Sequence, residues 1–176
     1  MEGRVRVLGA ANGLVQTKVL FVAEAPGRLG ADRFAIPLYG DQTGRSFEVL
    51  LGAAGLRRNA IFVTNAVLCN PRDDQGRNAS PTQREIANCA DHLGETIALI
   101  DPRYVVTLGA VALRALQHIA PHDLRLRQDV GRVTPWHSRR LVPLYHPGPR
   151  ALIHRPLSVQ LEDYRRLGAL VCAEGD

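Results

Sequence analysis

Lysine is almost absent from this chain: Lys18 is its one example among 22 basic residues, which against 17 acidic ones leave a formal charge of +5. The positive charge is therefore carried by arginine, whose planar guanidinium suits bidentate contact with phosphate. A polyanionic partner fits that balance, as does a plain, mildly basic enzyme. Cysteine is scarce too. Cys69, Cys89 and Cys172 are odd in number and widely spaced, which argues against a disulfide framework or a C-x-x-C zinc knuckle and reads as reduced thiols. No apolar run approaches the roughly 20 residues of a membrane span, and Met1 to Arg6 lead into no signal-like apolar core, so a cytoplasmic protein is expected. A G-x-x-x-x-G-K-[ST] loop and a G-x-G-x-x-G turn after the first strand are both missing, against a P-loop ATPase or a dinucleotide enzyme. Repeats, low-complexity tracts and a clear linker are also missing. The 176 residues are expected to form one domain, 1–176, with residues 1–17 as a weakly patterned N-terminal arm.

What is present is one device used four times. Val19-Leu20-Phe21-Val22-Ala23 is a buried strand that delivers Glu24 and then breaks at Pro26-Gly27. Ile61-Phe62-Val63-Thr64 delivers Asn65, Tyr104-Val105-Val106-Thr107-Leu108 delivers Gly109, and Leu141-Val142-Pro143-Leu144-Tyr145 delivers His146. Helical patterns lie between them. One runs over 46–54 with Ser46 as its N-cap and stops at Gly55. Another opens on the capping box Thr82-Gln83-Arg84-Glu85 and stops at Asp101-Pro102. Shorter and longer helices cover 111–118 and 157–172. Residues 24–45 make a long loop rich in glycine and proline, and 125–140 read as a loop or ragged strand carrying Trp136. Strands alternating with helices predict an α/β/α sandwich around a central four-stranded parallel sheet, with ligands just beyond the strand ends. An acid, an amide and an imidazole meeting there suit a polar, ring-shaped substrate.

Taken in order, A-E-A-P-G, T-N-A-V-L-C-N-P, T-L-G-A-V-A-L-R-A-L and Y-H-P-G-P-R resemble the uracil-DNA glycosylase superfamily, most closely its family 4, over roughly residues 17 to 170. Pro37-Leu38-Tyr39-Gly40-Asp41 resembles the F-T-G-D stretch of family 5. The resemblance implies hydrolysis of the N-glycosidic bond of a damaged base, uracil by default, flipped out of DNA during base excision repair. It implies Glu24, Asp41 and His146 as catalytic groups. Asn65 would read the base edge through its amide donor and acceptor, with Ala25, Pro26, Gly27, Leu38 and Tyr39 around the base. Arg45, Pro147, Gly148, Arg150 and Leu152 would contact DNA, Arg150 or Leu152 filling the gap left by the flipped base. Arg28, Arg33 and Arg155 are further phosphate candidates, each by itself an ordinary surface charge.

The chain departs from the family pattern at three places. Cys69 and Cys89 match the second pair of the family 4 iron-sulfur cysteines, but residues 1–17 carry no cysteine, so neither cofactor nor metal is expected unless a cysteine-bearing segment lies upstream of this sequence. Leu38 stands where families 4 and 5 stack an aromatic on the base, with Tyr39 or Phe34 as substitutes if the loop shifts. Ala23 replaces the first glycine of the motif. Lys18 begins the first strand, at the wrong end of the sheet for an amine nucleophile, so a monofunctional, water-using enzyme acting as a monomer on single- or double-stranded DNA is expected. The competing readings are a non-catalytic or weakly active binder of damaged or single-stranded DNA on the same fold, and an enzyme of free nucleosides.

Overall fold

The computed structural model describes residues 4–173. Five strands form one sheet: β1 Val19–Ala23, β2 Phe62–Asn65, β3 Tyr104–Leu108, β4 Thr134–Trp136 and β5 Arg139–Leu144, in the order β2-β1-β3-β5-β4. The first four in that order are parallel, and β4 pairs antiparallel with β5. The expected four-stranded parallel sheet is thus corrected to a five-stranded mixed one. The extra strand is the basic stretch around Trp136. A two-residue turn at His137 and Ser138, both with positive φ, folds it onto β5. Such turns match the twist of a hairpin but usually carry Asn-Gly, so no turn signal was visible. Pro135 is tolerated because β4 is an edge.

Each parallel strand is buried on both faces, which is why it reads as an unbroken apolar run. Side-chain alternation splits β1 between two cores. Val19, Phe21 and Ala23 join Phe47, Leu50, Tyr164 and Leu167, while Leu20 and Val22 join Ile86, Leu93, Ile97 and Leu113. The first core lies under helices α2 (Gln42–Ala53) and α7 (Leu157–Ala173), the second under α3 (Gln83–Ile100) and α4 (Ala110–Ala115). Short helices α1 (Ala31–Phe34), α5 (Leu126–Asp129) and α6 (Pro149–Leu152) lie within connections. Gly168 lets α7 cross close to the end of α2: a Cβ there would stand 2.0 Å from the Ala54 carbonyl oxygen.

The Thr82–Glu85 capping box forms as expected, and Asp101, in the left-handed region, ends α3. α2 starts four residues before the expected Ser46, because Asp41 Oδ1 accepts the Gly44 N–H at 2.9 Å and caps the helix. The arm is tied to β2 and its exit: Asn12 Nδ2 donates to the Val63 carbonyl at 2.7 Å, the Val7 N–H donates to Leu68 O, and Arg4 donates to Asn70 O. Among the described residues no helix is long and apolar enough to cross a membrane.

Candidate active site

The chain runs from β1 outward to β2 on one side and to β3 on the other, so the strand order reverses at β1. Open α/β sheets bind ligands at such a reversal, beyond the carboxyl ends. Here a cavity of about 590 Å³ opens there, in the ~300–1,000 Å³ range of small-molecule sites. Its walls come from the ends of three strands, Glu24, Gly109 and His146, and from the loops that follow them.

Glu24 to Gly27 line one side. Burial of the Glu24 carboxyl raises its pKa above the ordinary glutamate range, partly offset by a hydrogen bond from Ser80 and by the charges of Arg150 and Arg114. The turn is held from behind by two asparagines. Asn70 Nδ2 donates to the Pro26 carbonyl at 2.5 Å and to Asn78 Oδ1 at 2.9 Å, and that same Oδ1 accepts the Arg28 N–H. Asn70, Asn78 and Ser80, none of them singled out from sequence, therefore form a wall of the cavity. They sit in a polar loop where single residues carry no periodic signal.

His146 forms the opposite wall. Its Nδ1 accepts the Gly148 N–H at 3.0 Å, which leaves the ring proton on Nε2. Burial pushes its pKa down to about 4, with the nearby Asp41 pulling the other way. At neutral pH the imidazole is thus an uncharged N–H donor. Gly148 is needed for this arrangement, since a Cβ there would sit 2.8 Å from Nδ1.

The segment after His146 is anchored to α7. Gln160 Nε2 donates to the carbonyls of Arg155 and His146, Arg155 makes a two-point ion pair with buried Asp163, and its guanidinium lies 5.6 Å from the Tyr145 ring centre. Arg155 is therefore a structural partner in this anchor. Removing one member of a buried pair leaves the other uncompensated. Asp163→Ala is expected to lower unfolding free energy by about 3 kcal/mol, read as a shift in denaturant midpoint at constant slope. A midpoint change equivalent to less than about 1 kcal/mol would mean that the pair does not hold the loop.

Asp41 and Leu38 also line the cavity. The loop that presents them is pinned by the half-buried Arg58, which donates to the Pro37 carbonyl at 2.5 Å and stacks over Phe47. Ala35 and Leu38 both adopt positive φ, a costly conformation for residues with side chains.

Of the expected site residues, Glu24, Ala25, Pro26, Gly27, Leu38, Asp41, His146, Gly148 and Arg150 are brought together in the wall. Asn65, Tyr39, Arg45, Pro147 and Leu152 are not part of it. Tyr39 and Arg45 are exposed, Pro147 is buried, and Leu152 is half-covered. The apolar tip of that segment is instead Ile153, 80% exposed. Asn65 lies beside Ala23 in the sheet, 2% exposed, and its Nδ2 has no hydrogen-bond partner.

Cys69 and Cys89 are half-buried and close enough for Cys89, together with burial, to raise the Cys69 thiol pKa. Among the described residues no third metal-ligating side chain joins them. Two thiols do not fit a four-thiolate cluster.

The sequence model of the Uracil DNA glycosylase superfamily matches residues 11–164. A type-4 uracil-DNA glycosylase of Archaeoglobus fulgidus is 30% identical over 165 residues, covering 90% of this chain and 79% of that protein. The type-4 enzyme of Thermotoga maritima is 28% identical, covering 96% of this chain and 84% of its own length. A type-5 uracil-DNA glycosylase of Pyrobaculum aerophilum is 29% identical, covering 78% and 64%. By this match and these likenesses, the chain belongs to the uracil-DNA glycosylase superfamily.

Proposed function

We propose that this protein is a monofunctional DNA glycosylase that hydrolyses the N-glycosidic bond of a flipped-out uracil in base excision repair, acting as a cytoplasmic monomer. The observation that carries the reading is an uncharged imidazole N–H and a carboxylate facing one nucleotide-sized cavity at the strand-order reversal. When the bond between the base and C1′ breaks, negative charge gathers on the base and positive charge on the sugar. The His146 Nε2–H donates to the base carbonyl oxygen as that charge builds, without first losing a proton. Glu24, aided by Asp41, faces the cationic sugar and orients the water that adds to C1′. The electron pair of the N–C1′ bond leaves with the base, the water oxygen bonds C1′, and the proton the water loses ends on the base nitrogen through solvent, giving free base and an abasic site.

Asn65 reads the base. Its buried amide donor has no partner, which costs free energy; a base carbonyl that reaches it as the cavity wall opens would satisfy it while Oδ1 accepts the ring N–H. Leu38 replaces an aromatic wall with an aliphatic one. DNA is bound around the rim: Arg150 and Arg45 contact phosphate, and Ile153, taking the role expected of Leu152, enters the stack where the base has left.

The test is excision from labelled oligonucleotides carrying one uracil, hypoxanthine, xanthine or mismatched thymine. Alkali-dependent cleavage at uracil is expected. Asn65→Ala is expected to lower uracil excision by about 10²-fold, the scale of losing a base-reading hydrogen-bond pair, while retaining DNA binding by fluorescence anisotropy. Unchanged excision by that variant would remove Asn65 from the base site.

A further inference from the structure

The loop between the first motif and α2 has two sides. Ala31 and Leu38 line the cavity, whereas Leu29, Phe34 and Tyr39 are 62%, 44% and 49% exposed. Three large apolar side chains left in water within eleven residues need a reason, since Ala31 and Leu38 of the same loop are buried.

The two aromatics are also held in place. Their rings meet edge to face at 5.7 Å between centres, and the Arg33 guanidinium lies 5.4 Å from the Phe34 centre. Beneath Phe34 is the backbone of Gly40, where φ is +84° and an added Cβ would fall 2.4 Å from the ring. Glycine at 40 both permits the turn and leaves room for the ring. The paired rings are therefore a rigid apolar surface with a cation beside it, one residue from cavity-lining Leu38. Arg28 and Arg45 are exposed nearby in the chain.

Exposed, mutually packed aromatics flanked by arginine match the chemistry of an unpaired nucleobase: a flat π-face on a polyanionic backbone. A protein partner would want a larger contiguous apolar patch. We infer that Phe34 and Tyr39 form a stacking platform for the unpaired base next to the excised one, and that this platform favours single-stranded over duplex substrate. In a duplex the neighbouring base remains paired and stacked, and is withheld from the rings.

This inference rests on the glycosylase reading. The probes are single-stranded and duplex 15-mers with one uracil. Base–aromatic stacking is sequence-tolerant, and its removal is expected to raise KM for the single strand about tenfold. Phe34→Leu keeps an apolar cover over Gly40 but removes the ring. It should raise KM on single strand about tenfold and on duplex less than about twofold, and Phe34→Trp should restore the single-strand value. Leu99→Ala, an exposed leucine on α3, is the control and should change neither. A 2-aminopurine placed beside a hydrolysis-resistant 2′-fluoro-deoxyuridine should be quenched by the unaltered protein and bright with Phe34→Leu. Equal KM changes on both substrates, or no quenching on either side of the lesion, would overturn the platform. If the unaltered protein excises no uracil, the glycosylase reading fails and takes the platform with it; if it excises uracil and Phe34→Leu matches it, only the platform falls.

Discussion

His146→Ala is expected to slow single-turnover uracil excision by about 10²–10³-fold, the cost of losing one well-placed donor to a developing oxyanion. KM should change little, because the donor matters most when charge has built on the base. The cause lies in two features. The Gly148 N–H occupies Nδ1, so the proton is on Nε2, and burial keeps the ring uncharged with a pKa near 4. Between pH 5 and 8 the ring should therefore show no titration, and imidazole NMR shifts should stay flat across 6.5. Gly148→Ala tests the same point without touching the ring. Its Cβ would crowd Nδ1 at 2.8 Å and Thr43 Oγ1 at 3.2 Å, turning the imidazole away. It should lose most of what His146→Ala loses. A His146→Ala variant within threefold of normal, or a ring that titrates near 6.5, would end the assignment.

The second large effect is at Glu24. Glu24→Gln should lower the excision rate by about 10²–10⁴-fold, the range for a positioned catalytic carboxylate. Burial raises the Glu24 pKa, so the acid limb of kcat/KM should fall above the usual glutamate value, and it should vanish in the glutamine variant. The sign for stability is opposite. A carboxyl whose folded pKa is raised is favoured in its protonated form, so its contribution is fully present below the unfolded pKa and is lost as pH rises through the folded one. At pH 7 the ionised Glu24 therefore destabilises the fold, and Glu24→Gln should raise Tm while removing activity. A lower Tm would show that Ser80, Arg150 and Arg114 outweigh burial. Undiminished activity would pass the role to Asp41.

Strand ends were the legible part of this site. Glu24 and His146 could be placed because each closes an apolar run whose length and flanking Pro-Gly can mean little else. The parts set by irregular backbone were not legible. Asp41 was visible as an acid, but not as the cap of α2, because Gln42 to Arg45 carry a glycine and no apolar rhythm. β4 is legible only as the ragged-strand alternative over 125–140, because the positive-φ turn of His137 and Ser138 carries no glycine or asparagine to mark it. The wall of Asn70, Asn78 and Ser80 depends on side chains bridging between loops, which no spacing encodes. Leu152 is a wedge candidate only through the resemblance, and the turn of α6 half-covers it and leaves Ile153 at the tip. Asn65 is a different case: the apolar run before it marks its strand, but its amide is buried and does not line the cavity, so contact with a base requires the wall over it to open.

The near absence of lysine has a practical consequence. The chain carries one ε-amino group, on exposed Lys18, immediately before β1. Glu24 lies just past the far end of that strand, about 20 Å away at ~3.3 Å per residue. Once the α-amino group has been blocked near neutral pH, where the lysine is still protonated, an amine-reactive fluorophore has a single side-chain target, at the end of the sheet away from the chemistry. A donor there and an acceptor on the oligonucleotide would report the distance from sheet to bound DNA, with no cysteine introduced and no arginine of the binding rim consumed.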